Sequence, residues 1–316
     1  MKQKLTFLLL SIISPLAIYS QDFSPIKFGD MDHWVTRNIN ESKIIGGNRK
    51  TLYEIGPDTI IDGNIIYSNM GGSPWGTSNV MAKVAGITKT NTSVFKEKRG
   101  NGFCARLETR IESVKVFGIV NIAVLASGSI FLGDMKEPIT GTKGAERNLN
   151  WGVPFTLRPK AIRYDYKTKI VEDKSRIKLT GFSKKSQIAG QDCAMMVLIL
   201  QKRVEDSDGR IKATRIGTVA IKYDKTTPSW INGAVYEILY GDISKHPSYD
   251  ETIMGLNSNM YAKNSRGESV RVEETGWDKL NETPTHIILQ FTSSHGGAFI
   301  GSPGNTIWID NVELLY

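Results

Sequence analysis

The 316-residue sequence is poor in the residues that chemistry most often uses. It has two cysteines, Cys104 and Cys193, and four scattered histidines, His33, His246, His286 and His295. Two cysteines in so long a chain exclude a disulfide framework, leaving either one bridge or two buried free thiols. The histidines lack the spacing of metal ligands. His295 stands beside serines in Ser293-Ser-His-Gly-Gly297, but a nucleophilic serine takes its base from elsewhere in the fold, so adjacency in sequence carries little weight. Helical periodicity, internal repeats, low-complexity segments and linkers rich in Gly, Ser or Pro are also missing, which argues for one domain over 21–316.

The only long apolar run is at the start. Lys2 and Lys4 precede Leu5–Tyr19, and a small residue, Ser20, precedes Gln21-Asp22. This pattern reads as a secretory signal peptide over 1–20, too short for a comfortable membrane span and followed by no lipid-bearing cysteine. The expected location is therefore the periplasm, cell surface or exterior. The net charge of +8 falls by two when Lys2 and Lys4 leave. The remaining excess is dispersed: Lys96-Glu-Lys-Arg99 and Lys174-Ser-Arg-Ile-Lys178 are interrupted, and no basic stripe interleaved with aromatics points to nucleic acid.

What the chain does have is short strands. Ala161–Ile170 alternates, with Ile162, Tyr164, Tyr166 and Ile170 on one face and Arg163, Asp165, Lys167 and Lys169 on the other. Arg106–Glu112 also alternates, while Phe117–Ala126, a nearly continuous apolar run broken by Gly118 and Asn121, reads as a buried strand, and Cys193–Val204, apolar at both parities until Gln201, as a strand covered on both sides. Glu205–Arg210 reads as an Asp/Gly turn rather than a calcium loop, and a short helix is expected within Glu251–Met260. In the final stretch, Ile307 and Ile309 share one parity and Val312, Leu314 and Tyr316 the other. A bulge at Asp310-Asn311 would return them all to one core. At least eight strands with polar turns predict an all-β, jelly-roll-like antiparallel sandwich with long loops and little helix.

No catalytic motif is present. Paired carboxylates for glycoside hydrolysis are assembled in space, so Asp165, Glu237, Glu273, Glu274 and Asp278 stay open as candidates alongside their reading as solvated acids. Glycan binding needs aromatic faces and planar polar groups, which Trp75, Trp151, Trp230, Arg158 and Asp165 could supply. Trp75 near a turn is more often a core residue than a platform, and Trp151 with Arg158 could equally brace the connector bounded by Pro154 and Pro159.

Several separated segments together resemble the family called putative carbohydrate metabolism domain: Gly102–Thr109, Trp151–Pro159 leading to Tyr164–Lys167, Pro284–Leu289, Gly301–Tyr316, and Pro74–Asn79. Its members are exported proteins of Gram-negative anaerobes. The resemblance implies a sandwich akin to carbohydrate-binding modules and brings over no catalytic residues. It also implies that Asp310 occupies the place where such modules keep a structural calcium ligand; no other cofactor is called for. The expected function is non-catalytic glycan binding with a poly- or oligosaccharide partner. A glycoside hydrolase is the alternative, and an adhesin or surface-assembly subunit with a protein partner is the third reading.

Overall fold

The computed structural model describes residues 22–84, 86–116, 120–141, 144–181 and 184–316. The signal peptide read over 1–20 lies outside them, as does Phe117–Ile119 at the start of one expected strand. Among the described residues no helix is long and apolar enough to cross a membrane.

Two antiparallel-dominated sheets face each other. The first has the strand order Ile231–Glu237, Ala161–Lys169, Thr306–Leu315, Gly102–Glu108, Val94–Arg99, with Phe23–Pro25 added to the end of the terminal strand. The second is built on Ser129–Met135, His286–Thr292, Ala194–Glu205 and Ile211–Tyr223, extended by Ser269–Trp277, which runs parallel to Ile211–Tyr223. In chain order the strands pass repeatedly from one sheet to the other, the winding of a jelly-roll-like sandwich. A smaller sheet of Arg49–Ile55, Trp34–Asn40 and Thr59–Asp62 closes one side.

The core lies between the two large sheets, and strand parity explains its membership. Ile162 and Tyr164 from one sheet meet Leu198, Leu289 and Phe291 from the other. Tyr164 and Phe291 pack edge to face with ring centroids 4.9 Å apart. Over residues 194–201 the strand Ala194–Glu205 is covered on both faces, as its apolar run requires, while Val204 and Glu205 at its end are exposed: Met196, Leu198 and Leu200 enter the main core. Val197 and Ile199 turn outward beneath a second layer that includes Ile243, Met254, Tyr249 and Trp277. The helix in that layer is one turn, Glu251–Met254, capped by the Asp250 side chain accepting from the Thr252 amide.

Two expectations about strands change. Arg106–Glu112 is not one strand: the chain breaks at the fully buried Thr109, and Arg110–Val116 leaves the first sheet to form a hairpin with Val120–Ala126. Among the described residues that hairpin pairs further only with Thr180–Gly181, and Ile122, Ala123 and Val124 are half-buried rather than buried.

The terminal strand contains the expected bulge. Arg163 faces Glu313 and Asp165 faces Asp310, so three residues of the terminal strand span what two of its neighbour span. Asn311 takes the extra place with φ 51°, a conformation Asn tolerates better than most residues. The shift brings Ile307, Ile309, Val312 and Leu314 into one core, each contributing about 1.5–3 kcal/mol on burial. Cys104 and Cys193 are both buried free thiols.

Candidate functional site

The outward face of the first sheet gathers three of the residues selected from the sequence, Asp165, Trp230 and Asp310, around one that was not, Arg99. Asp165 lies between two irregular neighbours. On one side is the Asn311 bulge; on the other, Tyr164 faces Ala234 and Tyr166 faces Ile231, so Asn232-Gly233 holds a second extra residue, with Gly233 at φ 63°. Both bulges turn donors toward Asp165. The Gly233 amide donates to Oδ1 at 2.6 Å and Asn311 Nδ2 to Oδ2 at 2.9 Å.

Asp165 and Asp310 are direct cross-strand partners, an arrangement that repels unless a cation intervenes. Arg99, the last residue of its strand, supplies it. Nη2 donates to Asp165 at 2.8 Å and to Asn232 Oδ1 at 2.6 Å, and Nη1 donates to Asp310 at 2.5 Å. The indole of Trp230 stacks on the same guanidinium, 3.8 Å from its carbon to the ring centroid. Burial opposes ionisation of Asp165, but the bonds from Asn311, Gly233 and Arg99 outweigh it and hold the carboxyl below its ordinary range. For Asp310 burial wins, pushing it up to about 6 against the pull of Arg99. Beneath them Cys104 is raised to about 12, first by burial and then by the Asp310 and Glu97 charges, so it stays a thiol.

Calcium does not fit this donor set. The ion takes six to eight oxygens, whereas the Arg99 guanidinium already stands between the two carboxylates. Among the described residues no group of three or more His, Cys, Asp or Glu side chains is arranged to hold a metal.

Next to the cluster, residues from four strands line up in one cross-strand row. Lys167 faces Trp308, Trp308 faces Arg106, and Arg106 faces Phe95. The row alternates cation and ring, with Lys167 Nζ 4.2 Å from the Trp308 ring and the Arg106 guanidinium 4.0 Å from that of Phe95. Glu97 joins its middle, accepting the Trp308 indole N–H at 2.7 Å and pairing with Arg106 Nε at 2.7 Å. All four members are half-buried. None was selected from the sequence, because the row joins positions far apart in the chain and exists only once the register is known.

The other selected residues lie elsewhere. Trp75 is fully buried, its indole donating to the Lys27 carbonyl at 2.9 Å, so it is a core residue and offers no stacking face. Trp151 packs against Phe131 on the second sheet with centroids 4.8 Å apart. Arg158 covers the Tyr240 ring and donates to the Glu282 and Leu280 carbonyls, bracing a loop. Of the acids kept open for hydrolysis, Glu274 is not on a wet face: it is buried against the fully buried Arg215. Asp278 accepts from Thr214, and Glu237 and Glu273 are exposed on different sheets. His295 is no relay either, since Asp192 at 3.0 Å and Cys193 Sγ at 3.1 Å meet the same ring nitrogen, Nδ1.

A second arginine with two carboxylates is fully internal. Arg37 bonds Glu54 at 2.8 Å and Glu137 at 2.6 and 3.0 Å, with the Tyr67 ring 4.9 Å from its guanidinium. Glu137 also accepts the Tyr67 and Met81 amides. Among the described residues Glu54 has only Thr77 besides Arg37, and burial pushes it up to about 7. This knot ties the small sheet to the sandwich, beside a polar cavity of about 10 Å³, space for a single water.

Comparison with known proteins gives a family and distant structural likenesses. A putative glycoside hydrolase from Bacteroides thetaiotaomicron superimposes with a TM-score of 0.46 at 18% identity, covering 85% of this chain and 75% of that one. A putative glycoside hydrolase from Bacteroides vulgatus gives 0.44 at 14% identity, covering 79% and 91%. No curated protein sequence matches. Residues 58–315 match the model of the family described as "Putative carbohydrate metabolism domain", and the chain belongs to that family.

Proposed function

We propose that this is an exported, non-catalytic glycan-binding protein that holds its ligand on the outward face of the first sheet. The observation that carries this reading is the pair of half-buried indoles there, Trp230 braced by Arg99 and Trp308 by Lys167 and Glu97. Rings fixed in this way are preorganised to meet the apolar face of a sugar, and the adjoining carboxylate, amide and guanidinium groups are the planar partners that sugar hydroxyls take. Family membership places the chain among carbohydrate-related proteins and agrees with a glycan ligand. The export part of the proposal is supported by Lys2 and Lys4 preceding the apolar run Leu5–Tyr19.

The test is a glycan array on the purified protein, followed by titration of the best ligand against Trp230→Ala and Trp308→Ala. Each substitution is expected to weaken binding about tenfold, the loss of one stacking contact. An array on which no glycan binds would sink the proposal.

Hydrolysis is the second reading, and the observation in its favour is that Asp165 and Asp310 are neighbours across two strands. Both are nearly buried and both are bonded to Arg99, which leaves neither free to protonate a leaving group or attack a sugar. Release of reducing ends from a bound glycan, abolished by Asp165→Asn, would favour hydrolysis over binding alone.

A further inference from the structure

We infer that the ligand of this face is an acidic, uronate-bearing linear oligosaccharide lying along the row Lys167, Trp308, Arg106 and Phe95. The inference rests on the glycan-binding reading above and specifies the ligand class. Its first support is shape. The row crosses four neighbouring strands at one register level, a length of about 14 Å at the usual strand spacing. That suits several linked sugars better than a single terminal one.

The second support is the distribution of charge along the row. In its middle, Arg106 is paired with both Glu97 and Glu108, which leaves that stretch with one net negative charge. At its two ends the cations are held by rings but not by acids. Lys167 sits on Trp308, and Arg110 lies 5.4 Å from the centroid of Phe95. Among the described residues no carboxylate comes within ion-pairing distance of either. A cation that is half-buried against a ring has shed part of its water and keeps its charge unpaired, so an incoming anion meets it at reduced desolvation cost. The face thus presents rings with a centre whose acids face hydroxyls best and with positive flanks that are open to carboxylates. A chain of sugars carrying spaced carboxylates complements that pattern; a neutral chain would leave both flanking charges unmatched.

The experiment is calorimetric titration of the purified protein with hexagalacturonate, monogalacturonate and the neutral cellohexaose, at low and at raised salt. The acidic hexamer is expected to bind most tightly, about tenfold better than either of the others, and to weaken as salt screens the flanking charges. Lys167→Met and Arg110→Gln keep much of each side chain's bulk and should each reduce that affinity about two- to fivefold without altering the far-ultraviolet dichroism spectrum. Cellohexaose binding as tightly as the acidic hexamer, or acidic binding that neither substitution weakens, overturns this inference and leaves the broader reading standing. Failure of all three sugars, together with an empty glycan array, overturns both.

Discussion

Two clusters in this molecule share a composition, one arginine between two carboxylates with an aromatic ring on the guanidinium, and differ in their distance from water. In the internal cluster the Arg37 side chain is 0% exposed, with Glu54, Glu137 and Tyr67 around it. In the outer cluster the Arg99 side chain is 20% exposed, with Asp165, Asp310 and Trp230. In each, the carboxylate with fewer donors is pushed upward by burial, Glu54 to about 7 and Asp310 to about 6. The same chemistry thus makes a structural tie where water is excluded and a solvent-facing platform where it is not.

The sharpest way to break this comparison is to remove each arginine. Arg37→Met leaves two carboxylates in the interior with no cation, and a loss of about 3–5 kcal/mol is expected. Arg99→Met leaves its acids under partial cover that water can enter, with an expected loss of about 1–2 kcal/mol. Urea unfolding of both variants measures the difference; equal losses would mean that the outer cluster is as much a part of the core as the inner one.

Protonation separates the clusters next. Glu54 has a folded-state pKa of about 7 against an ordinary value of 4.5. Between those values the folded state binds more protons than the unfolded state, so its contribution is unfavourable to folding as pH rises through the window and is absent below it. The expected slope approaches about 1.4 kcal/mol per pH unit in the middle of the window. Glu54→Gln, which keeps the side chain's shape, should flatten the melting temperature between pH 4.5 and 7. A slope unchanged in that variant would show that Glu54 is not its source.

Legibility in the sequence followed the same division between local and long-range information. The terminal bulge could be read because two apolar sets of opposite parity, Ile307 with Ile309 and Val312 with Leu314, meet at Asp310-Asn311. Alternation alone could put Asp165 on the face turned away from the core, but could not show its burial there beneath Arg99 and the two bulges, which only the fold brings together. Arg99 could not be singled out, because Lys96-Glu-Lys-Arg99 reads as a solvated charge run; the fold divides it, with Lys96 and Lys98 over Phe103 and with Glu97 and Arg99 on the outward face. Trp75 reads from its turn neighbours as either core or sugar platform, and only the fold decides for the core, because the residues beneath that turn come from strands far away in the chain. The cross-strand row depends wholly on register and left no local signal.

Removing the ring from each cluster should give effects of opposite kind. Tyr67→Leu is expected to lower stability by about 1–2 kcal/mol, since the ring is packed against Arg37 at the cavity. Trp230→Ala should cost less stability and more glycan affinity. Parallel melting and binding measurements on the two variants decide it, and a Trp230→Ala protein that melts lower than Tyr67→Leu while still binding glycan would reverse the assignment of platform and tie.

The smallest expected effect concerns the backbone that builds the outer cluster. Gly233 lies at φ 63°, and a Cβ placed there would come no nearer than 4.0 Å to the Arg163 side chain. Gly233→Ala therefore meets no steric obstacle, and its cost should be the conformational one of about 1 kcal/mol for a non-glycine residue in the left-handed region. The Gly233 amide would still reach Asp165, so glycan affinity should stay at the wild-type level. By contrast Gly76, which lines the internal cavity, would place a Cβ 2.8 Å from the Phe131 ring, and Gly76→Ala should cost more because the core must move. A Gly233→Ala protein of normal stability that has lost glycan binding would mean that the second bulge positions the ligand directly, rather than only holding Asp165 in place.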